Sequence, residues 1–324
     1  MSEQMNLKTI IQTIFKDYLV LVAIGILILI TAILEPKFLS IQNMTNVMRQ
    51  FGPLIMVALG MTFVIIGGFI DLSVAGMLSL IAVVTISLIE PLGQIPALII
   101  GLCFGAFCGY FNSLLVLISG AMTQAEALFI TFGMSVVYGG LALILSGGST
   151  MHMSWLEADT SIFKAIGSGN VGFVSVSFII FLGILLVLYI FQNKTYMGRA
   201  ICLTGGNKTA ARLAGIPINR SISFIYTISG FMTALGAIVL FSRVTTASPV
   251  IGKGYETNAI LAVVVGGTTL VGGKGSVLRT VLGTLLVILM SNCLNLLGVS
   301  VYMQYIAKGA ILILAIWLDN RKQL

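Results

Sequence analysis

An aspartate, Asp71, stands behind Gly67-Gly68-Phe69-Ile70 and before Leu72-Ser73, between two apolar runs. A bare carboxylate at membrane depth costs several kcal/mol, so it must face a partner, a water-filled cavity or the interface. Two readings are open. Asp71 is a gate or pathway element at a helix break, or it caps the following helix at the cytoplasmic interface, with Asp71 or Ser73 accepting backbone N–H bonds. Glu126 poses the same choice: it is a pathway carboxylate or a favourable negative charge in a first helical turn. Asn112, Asn258, Asn292, Asn295 and Gln304 lie mid-span or at span ends. Amides donate and accept, so they suit a cavity that passes a polyhydroxyl solute, and equally they bond helix to helix.

Catalytic constellations are missing. His152 is the only histidine, so no histidine-based metal cluster exists, and its loop position implies a solvated ring. No HExxH, paired-aspartate or GxSxG arrangement is present, and we assign no catalytic and no metal residue. The run Gly266-Gly267-Thr268-Thr269-Leu270-Val271-Gly272-Gly273-Lys274-Gly275-Ser276 superficially resembles a phosphate-binding loop. Its spacing fails, because Thr268 stands five before Gly273 and Gly275 follows Lys274. The cysteines, Cys103, Cys108, Cys202 and Cys293, form no CxxC pair and read as reduced, buried packing residues.

The elements that position these residues must be membrane helices. Of 324 residues 58% are hydrophobic and only 8% are charged, against about 25% charged in soluble domains. This excludes a secreted disulfide scaffold, a disordered regulator and a soluble enzyme. The net charge of +7 reflects membrane topology rather than nucleic acid. The expected fold is all-α and polytopic, with about ten spans near 18–34, 51–70, 72–89, 95–118, 127–146, 173–192, 221–242, 257–272, 277–297 and 299–318. The stretch around Gly67–Asp71 is either a loop between two spans or one broken element.

Charge orients the chain. Segment 193–220 holds Lys194, Arg199, Lys208, Arg212 and Arg220 with no acid, and is placed in the cytoplasm. Segment 147–172 holds Lys164 against Glu157 and Asp159 and faces outward. Lys8 and Lys16 put the N-terminus inside, as Arg321 and Lys322 do for the C-terminus, which requires an even number of spans. Arg243 and Lys253 then fall in an outward loop against the rule. The polar segments are too short for an independent domain, so residues 1–324 form one transmembrane domain. Gly101, Gly105 and Gly109 recur every four residues and predict close helix contact within the bundle rather than a dimer face.

Gly205-Gly206-Asn207-Lys208-Thr209-Ala210-Ala211-Arg212-Leu213-Ala214-Gly215-Ile216 resembles the coupling loop of monosaccharide ABC-importer permeases of the ribose type. Tyr255-Glu256-Thr257-Asn258-Ala259-Ile260, running through Ala262–Val265 to Gly266-Gly267-Thr268 and Gly272-Gly273-Lys274-Gly275-Ser276-Val277-Leu278, is similar to a second motif of that family. Gly60–Ile65 with Ile70–Val74, Gly139–Leu143 with Gly147-Gly148, and Asn295–Val299 agree in the same order. Phe69 departs from the pattern, standing where the family has a glycine, as do Ala75 and the segment Gln124–Leu128.

The resemblance implies a permease subunit of an ATP-driven importer of a monosaccharide or sugar-like solute, multi-pass in a bacterial cytoplasmic membrane and working by alternating access. It implies no cofactor on this chain, because ATP and Mg are used by a partner ATPase carrying two nucleotide-binding modules. An extracytoplasmic sugar-binding protein and a second permease copy or related subunit complete the set. A short helix around Lys208–Ala214 would dock in a cleft of the ATPase. Gly205, Gly206, Asn207, Ala210, Ala211, Arg212, Gly215 and Ile216 would form the coupling site. Asp71, Asn112, Glu126, Asn258, Asn292 and Asn295 are the pathway candidates. The competing reading is an ion-coupled secondary transporter, for which the ionisable groups inside the spans are few.

Overall fold

The computed structural model describes residues 19–321. Lys8, Lys16 and Lys322 lie outside the described residues, and for Arg321 the helical backbone alone is described. The long helices are α1 (Leu19–Leu34), α2 (Ile41–Ile66), α3 (Val74–Leu92), α4 (Gln94–Ile118), α5 (Gln124–Ser146), α7 (Val176–Lys194), α10 (Ile218–Val244), α12 (Val277–Leu296) and α13 (Val301–Arg321). Shorter helices are α6 (Ser161–Ser168), α8 (Tyr196–Gly206), α9 (Lys208–Leu213) and α11 (Tyr255–Val265). Four two-residue strands lie between them: β1 (Met151–His152), β2 (Asn170–Val171), β3 (Val174–Ser175) and β4 (Thr246–Ala247). β1 pairs antiparallel with β4, and β2 with β3.

Among the described residues seven helices, α2 to α5, α7, α10 and α12, are long and apolar enough to cross a bilayer, and three shorter apolar helices accompany them. α10 forms the axis and packs most extensively on α4 and α2. The contact with α4 is a glycine seam. A methyl on Gly109 would fall 2.1 Å from the carbonyl oxygen of Tyr226, and one on Gly230 would fall 2.2 Å from that of Gly105. Small residues let backbones approach where lipid offers no hydrophobic drive. Gly101 completes the repeat but faces Thr85 of α3, so the three glycines serve two neighbours inside the bundle. α5 and α7 are mostly exposed and form the outer rim.

The two ends of the bundle are set by the polar segments. Arg49 near the start of α2 donates to the carbonyl of Ser168 at 2.6 Å, in the outward segment. At the other end of α2, Gly68 lies against Gly205 of the basic segment. α2 therefore runs inward. α3 runs back outward, reaching the outer segment where Gln94 donates to Asp159 at 2.6 Å. The chain thus reverses at 67–73, so this stretch joins two spans rather than interrupting one.

The expected span 257–272 is corrected. Its helix, α11, has 11 residues, which at about 1.5 Å per residue covers roughly half a bilayer core. A glycine-rich loop, 266–276, follows at the cytoplasmic end, and segment 248–254 descends from the outer end to meet α11. The cysteine reading is corrected in part: all four are free and Cys108 and Cys293 are buried, but Cys103 is exposed on α4 and Cys202 half-buried.

Candidate functional site

The basic segment folds as two short helices joined at Asn207. The Asn207 side chain accepts from the Ala210 N–H at 2.9 Å and so starts α9 as an N-cap. Ala211 is buried beneath α9, whereas Thr209, Ala210, Arg212 and Leu213 are exposed, Leu213 to 85%. Gly215 follows in the left-handed region at φ 74° and lets the chain turn into α10. A cleft of about 550 Å³ opens beside α9, lined by Gly206, Asn207, Ala210, Ala214, Ile216 and Lys274. Small side chains around a cleft, with Arg212 and Lys274 exposed nearby, suit a close-fitting partner that carries acidic groups.

Behind α9 three glycine pairs from distant parts of the chain meet. A methyl on Gly205 would lie 1.8 Å from the carbonyl oxygen of Ile66 and 2.8 Å from the nitrogen of Gly273. One on Gly272 would lie 2.7 Å from the α-carbon of Gly68, and one on Gly273 at 2.7 Å from that of Gly206. The Gly273 N–H donates to the Ile66 carbonyl at 2.7 Å, locking the 266–276 loop to the end of α2. Gln192 of α7 clamps the far side of that loop, donating to the Gly275 carbonyl at 2.9 Å and accepting from the Val277 N–H at 3.0 Å. Buried hydroxyls of Thr204, Tyr226 and Thr268 near this junction have no hydrogen-bond partner among the described residues.

The 67–73 turn leads from this junction into the bundle and carries Asp71. The carboxylate is fully buried and accepts from the Ser73 N–H at 3.0 Å, the Ser73 hydroxyl at 2.6 Å and the Ser229 hydroxyl at 2.9 Å. Asn112 donates to the Ser73 oxygen at 2.7 Å, and Tyr138 donates to Asn112 at 2.9 Å. Four elements, the turn and helices α4, α5 and α10, are thereby tied through one acid. Thr131 of α5 adds a bond from the Leu72 N–H at 3.1 Å. The N-cap reading of Asp71 is met in part, since the carboxylate accepts the Ser73 N–H just before α3, and its interfacial position is corrected, because the group is fully buried among helices. Ser73 precedes α3 without a side-chain capping bond.

The other sequence candidates are dispersed. Glu126 completes a capping box with Thr123 at the start of α5, its carboxylate accepting from the Thr123 N–H at 3.0 Å. Asn292 and Asn43 exchange bonds at 2.9 and 3.0 Å, pairing α12 with α2. Asn295 accepts from Gln304 at 2.7 Å across the turn into α13. Asn258 is half-buried in the first turn of α11. The His152 ring lies 4.3 Å from that of Trp155, tilted at 45°, at the outer face. There the Ser161 backbone N–H holds the Asp159 carboxyl below the usual carboxylate range.

Sequence reading missed one contact. Lys208, the first residue of α9, sits over the ring of Phe69 and donates to the carbonyl of Met122. In the sequence Phe69 stands out as a departure from the resembled motif, and that departure is the signal.

The profile of the family described as "Branched-chain amino acid transport system / permease component" matches residues 43–316. The chain belongs to this permease family. It is 34% identical over 304 residues to the ribose import permease protein RbsC of Escherichia coli (strain K12), covering 94% of this chain and 93% of that protein. It is 37% identical over 298 residues to the ribose import permease protein RbsC of Bacillus subtilis (strain 168), covering 92% and 90%. The L-arabinose transport system permease protein AraH of Escherichia coli (strain K12) is 34% identical over 310 residues, covering 96% and 92%. No solved structure matches the chain. The chain is thus a multi-pass membrane protein and a transport permease, and its matched region takes in the glycine junction, the Asp71 network and α9.

Proposed function

We propose that this permease is the membrane subunit of an ATP-driven importer of a monosaccharide or sugar-like solute in a bacterial cytoplasmic membrane. A separate ATPase with two nucleotide-binding modules docks on α9, an extracytoplasmic sugar-binding protein delivers the solute to the outer face, and a second permease copy or related subunit completes the pathway. The observation that carries this reading is the exposed helix α9, seated on a junction of bare backbone that leads directly to the buried turn of Asp71. Gly205 and Gly206 form the junction. Asn207 starts the helix, Ala211 seats it, and Ala210 and Arg212 meet the partner. Gly215 and Ile216 return the chain to α10. Closure of the ATPase on ATP moves α9, and the bundle follows as a rocking body.

The sugar class rests on the relatives named above and on the polar side chains within the bundle. The cofactors ATP and Mg belong to the partner. Asp71, Asn112, Glu126, Asn258, Asn292 and Asn295 remain candidates for contact with the solute in other states of the cycle. The test is purification of the tagged chain from its own membranes in mild detergent, followed by mass spectrometry and reconstitution. Recovery of a tandem-module ATPase and uptake that persists with an ionophore while ATP is held up are expected. Uptake that collapses with the ion gradient and needs no ATPase would instead establish a secondary transporter.

A further inference from the structure

Lys253 breaks the charge rule when it is counted in an outward loop, and its place in the fold resolves the conflict. After α10 ends and β4 pairs with β1 at the outer face, the chain turns back into the bundle. The Gly252 N–H donates to the Ser79 hydroxyl at 3.0 Å, and a methyl on Gly252 would lie 2.1 Å from the carbonyl oxygen of Ala75. Ala75 and Ser79 belong to the opening turns of α3, which begins deep in the membrane. The neighbouring Gly76 N–H donates at 3.2 Å to Ser135, at the midpoint of the 23-residue α5. Gly252 is therefore near the bilayer midplane, and Lys253 is the next residue.

Lys253 and Thr257 are exposed there, while Glu256 and Asn258 are half-buried. Among the described residues the Lys253 ammonium makes no ion pair or hydrogen bond, and Glu256 keeps a buried oxygen, Oε2, without a partner. From the midplane about 15 Å of hydrocarbon lies on either side, beyond the reach of a lysine stem that snorkels. An ammonium against lipid at this depth costs several kcal/mol. A dry contact with a neighbouring subunit would strand the same charge unless an acid there paired with it. Water meets the charge without such a partner.

We propose that Lys253 and Thr257 face the aqueous route of the solute at mid-depth and form a polar rung with Glu256 and Asn258. Ammonium, hydroxyl, carboxylate and amide together donate to and accept from the vicinal hydroxyls of a polyol, and the opposite charges of Lys253 and Glu256 leave the rung near neutrality. This deepens the transport reading above and rests on it.

The test labels single thiols in the purified full complex in proteoliposomes, with the four native cysteines replaced. Lys253→Cys and Thr257→Cys are each treated with a membrane-impermeant cationic methanethiosulfonate. Ser248→Cys at the outer end and a variant that keeps Cys103, exposed on α4, with only the other three cysteines replaced serve as controls. Both rung variants are expected to react, and their rates to change at least tenfold on vanadate trapping, with Ser248→Cys unaffected and Cys103 unreactive. Two outcomes overturn the proposal: neither rung variant reacts, which places the segment against lipid or a dry contact, or both react at rates that trapping leaves unchanged, which makes it a surface loop. Vanadate-sensitive ATP hydrolysis by the same complex is measured separately. Its absence would sink the ATPase reading, whereas its presence beside inert thiols would sink the rung alone. Thr257→Cys keeps Lys253 in place, so a folding failure of the lysine variant does not close the experiment.

Discussion

The ammonium of Lys208 lies 3.9 Å from the centroid of the Phe69 ring, joining the first residue of the cytoplasmic helix to the turn that leads to Asp71. Phe69 is itself fully buried, and its ring lies 6.1 Å from that of Tyr226 in α10. Burial lowers the Lys208 pKa from its ordinary value, and the charge of Glu126 offsets part of that effect. A half-desolvated cation over an aromatic face contributes about 0.5–2 kcal/mol.

That contact predicts non-additivity. In a double-mutant cycle of Phe69→Leu and Lys208→Met, thermal unfolding in detergent should give an interaction energy of about 0.5–2 kcal/mol. Simple additivity would show that the ring and the ammonium do not support each other.

The glycine junction predicts a sharp contrast between two glycines. Gly205→Ala places a methyl 1.8 Å from the Ile66 carbonyl oxygen, where backbone must move. Overpacking of this kind costs about 1–3 kcal/mol or more. Gly183→Ala in α7 meets nothing within 4 Å and should be neutral or stabilising. Equal melting temperatures for the two variants would contradict the junction.

Arg212 is exposed on α9, and among the described residues its side chain makes no hydrogen bond or ion pair. Arg212→Glu should leave membrane insertion and melting temperature unchanged while reducing ATPase recovery in pull-down at least tenfold. Normal recovery of the ATPase by this variant would remove α9 from the coupling site.

The Asp71 network predicts graded losses. Asp71→Asn keeps an oxygen for Ser73 and turns an amide toward the Ser229 hydroxyl, which can accept, so it should cost about 1 kcal/mol or less. Asp71→Ala leaves both hydroxyls and the Ser73 N–H unmet in a buried site and should cost about 2–4 kcal/mol. If the alanine variant melted with the wild type, the carboxylate would not be the tie among these helices.

How much of this was legible in the sequence follows from what hydropathy can and cannot carry. The apolar runs located the helices, and the acid-free basic stretch located α9, because charge near span ends is a local property. The span expected at 257–272 is not one helix because Val263–Val265 and Leu270–Val271 are apolar on both sides of Gly266-Gly267, so a window sees one run where the backbone makes a half-helix and a loop. Lys253 reads as outward for the converse reason: charge reads as surface, and a re-entrant segment is a surface within the membrane. Asp71 stood out by type, but Ser229, which accepts no signal from spacing, is 158 residues away and was found only by the fold.

The glycine pairs at 67–68, 205–206 and 272–273 touch through backbone, with no side chain between them. Side chains yield to a push by changing rotamer, whereas peptide planes in contact do not. A displacement of α9 therefore reaches the membrane interior with little of it absorbed on the way. It also follows that tolerance for substitution at these six glycines is set by the spacing of the backbone alone, whatever the chemistry of the residue put there.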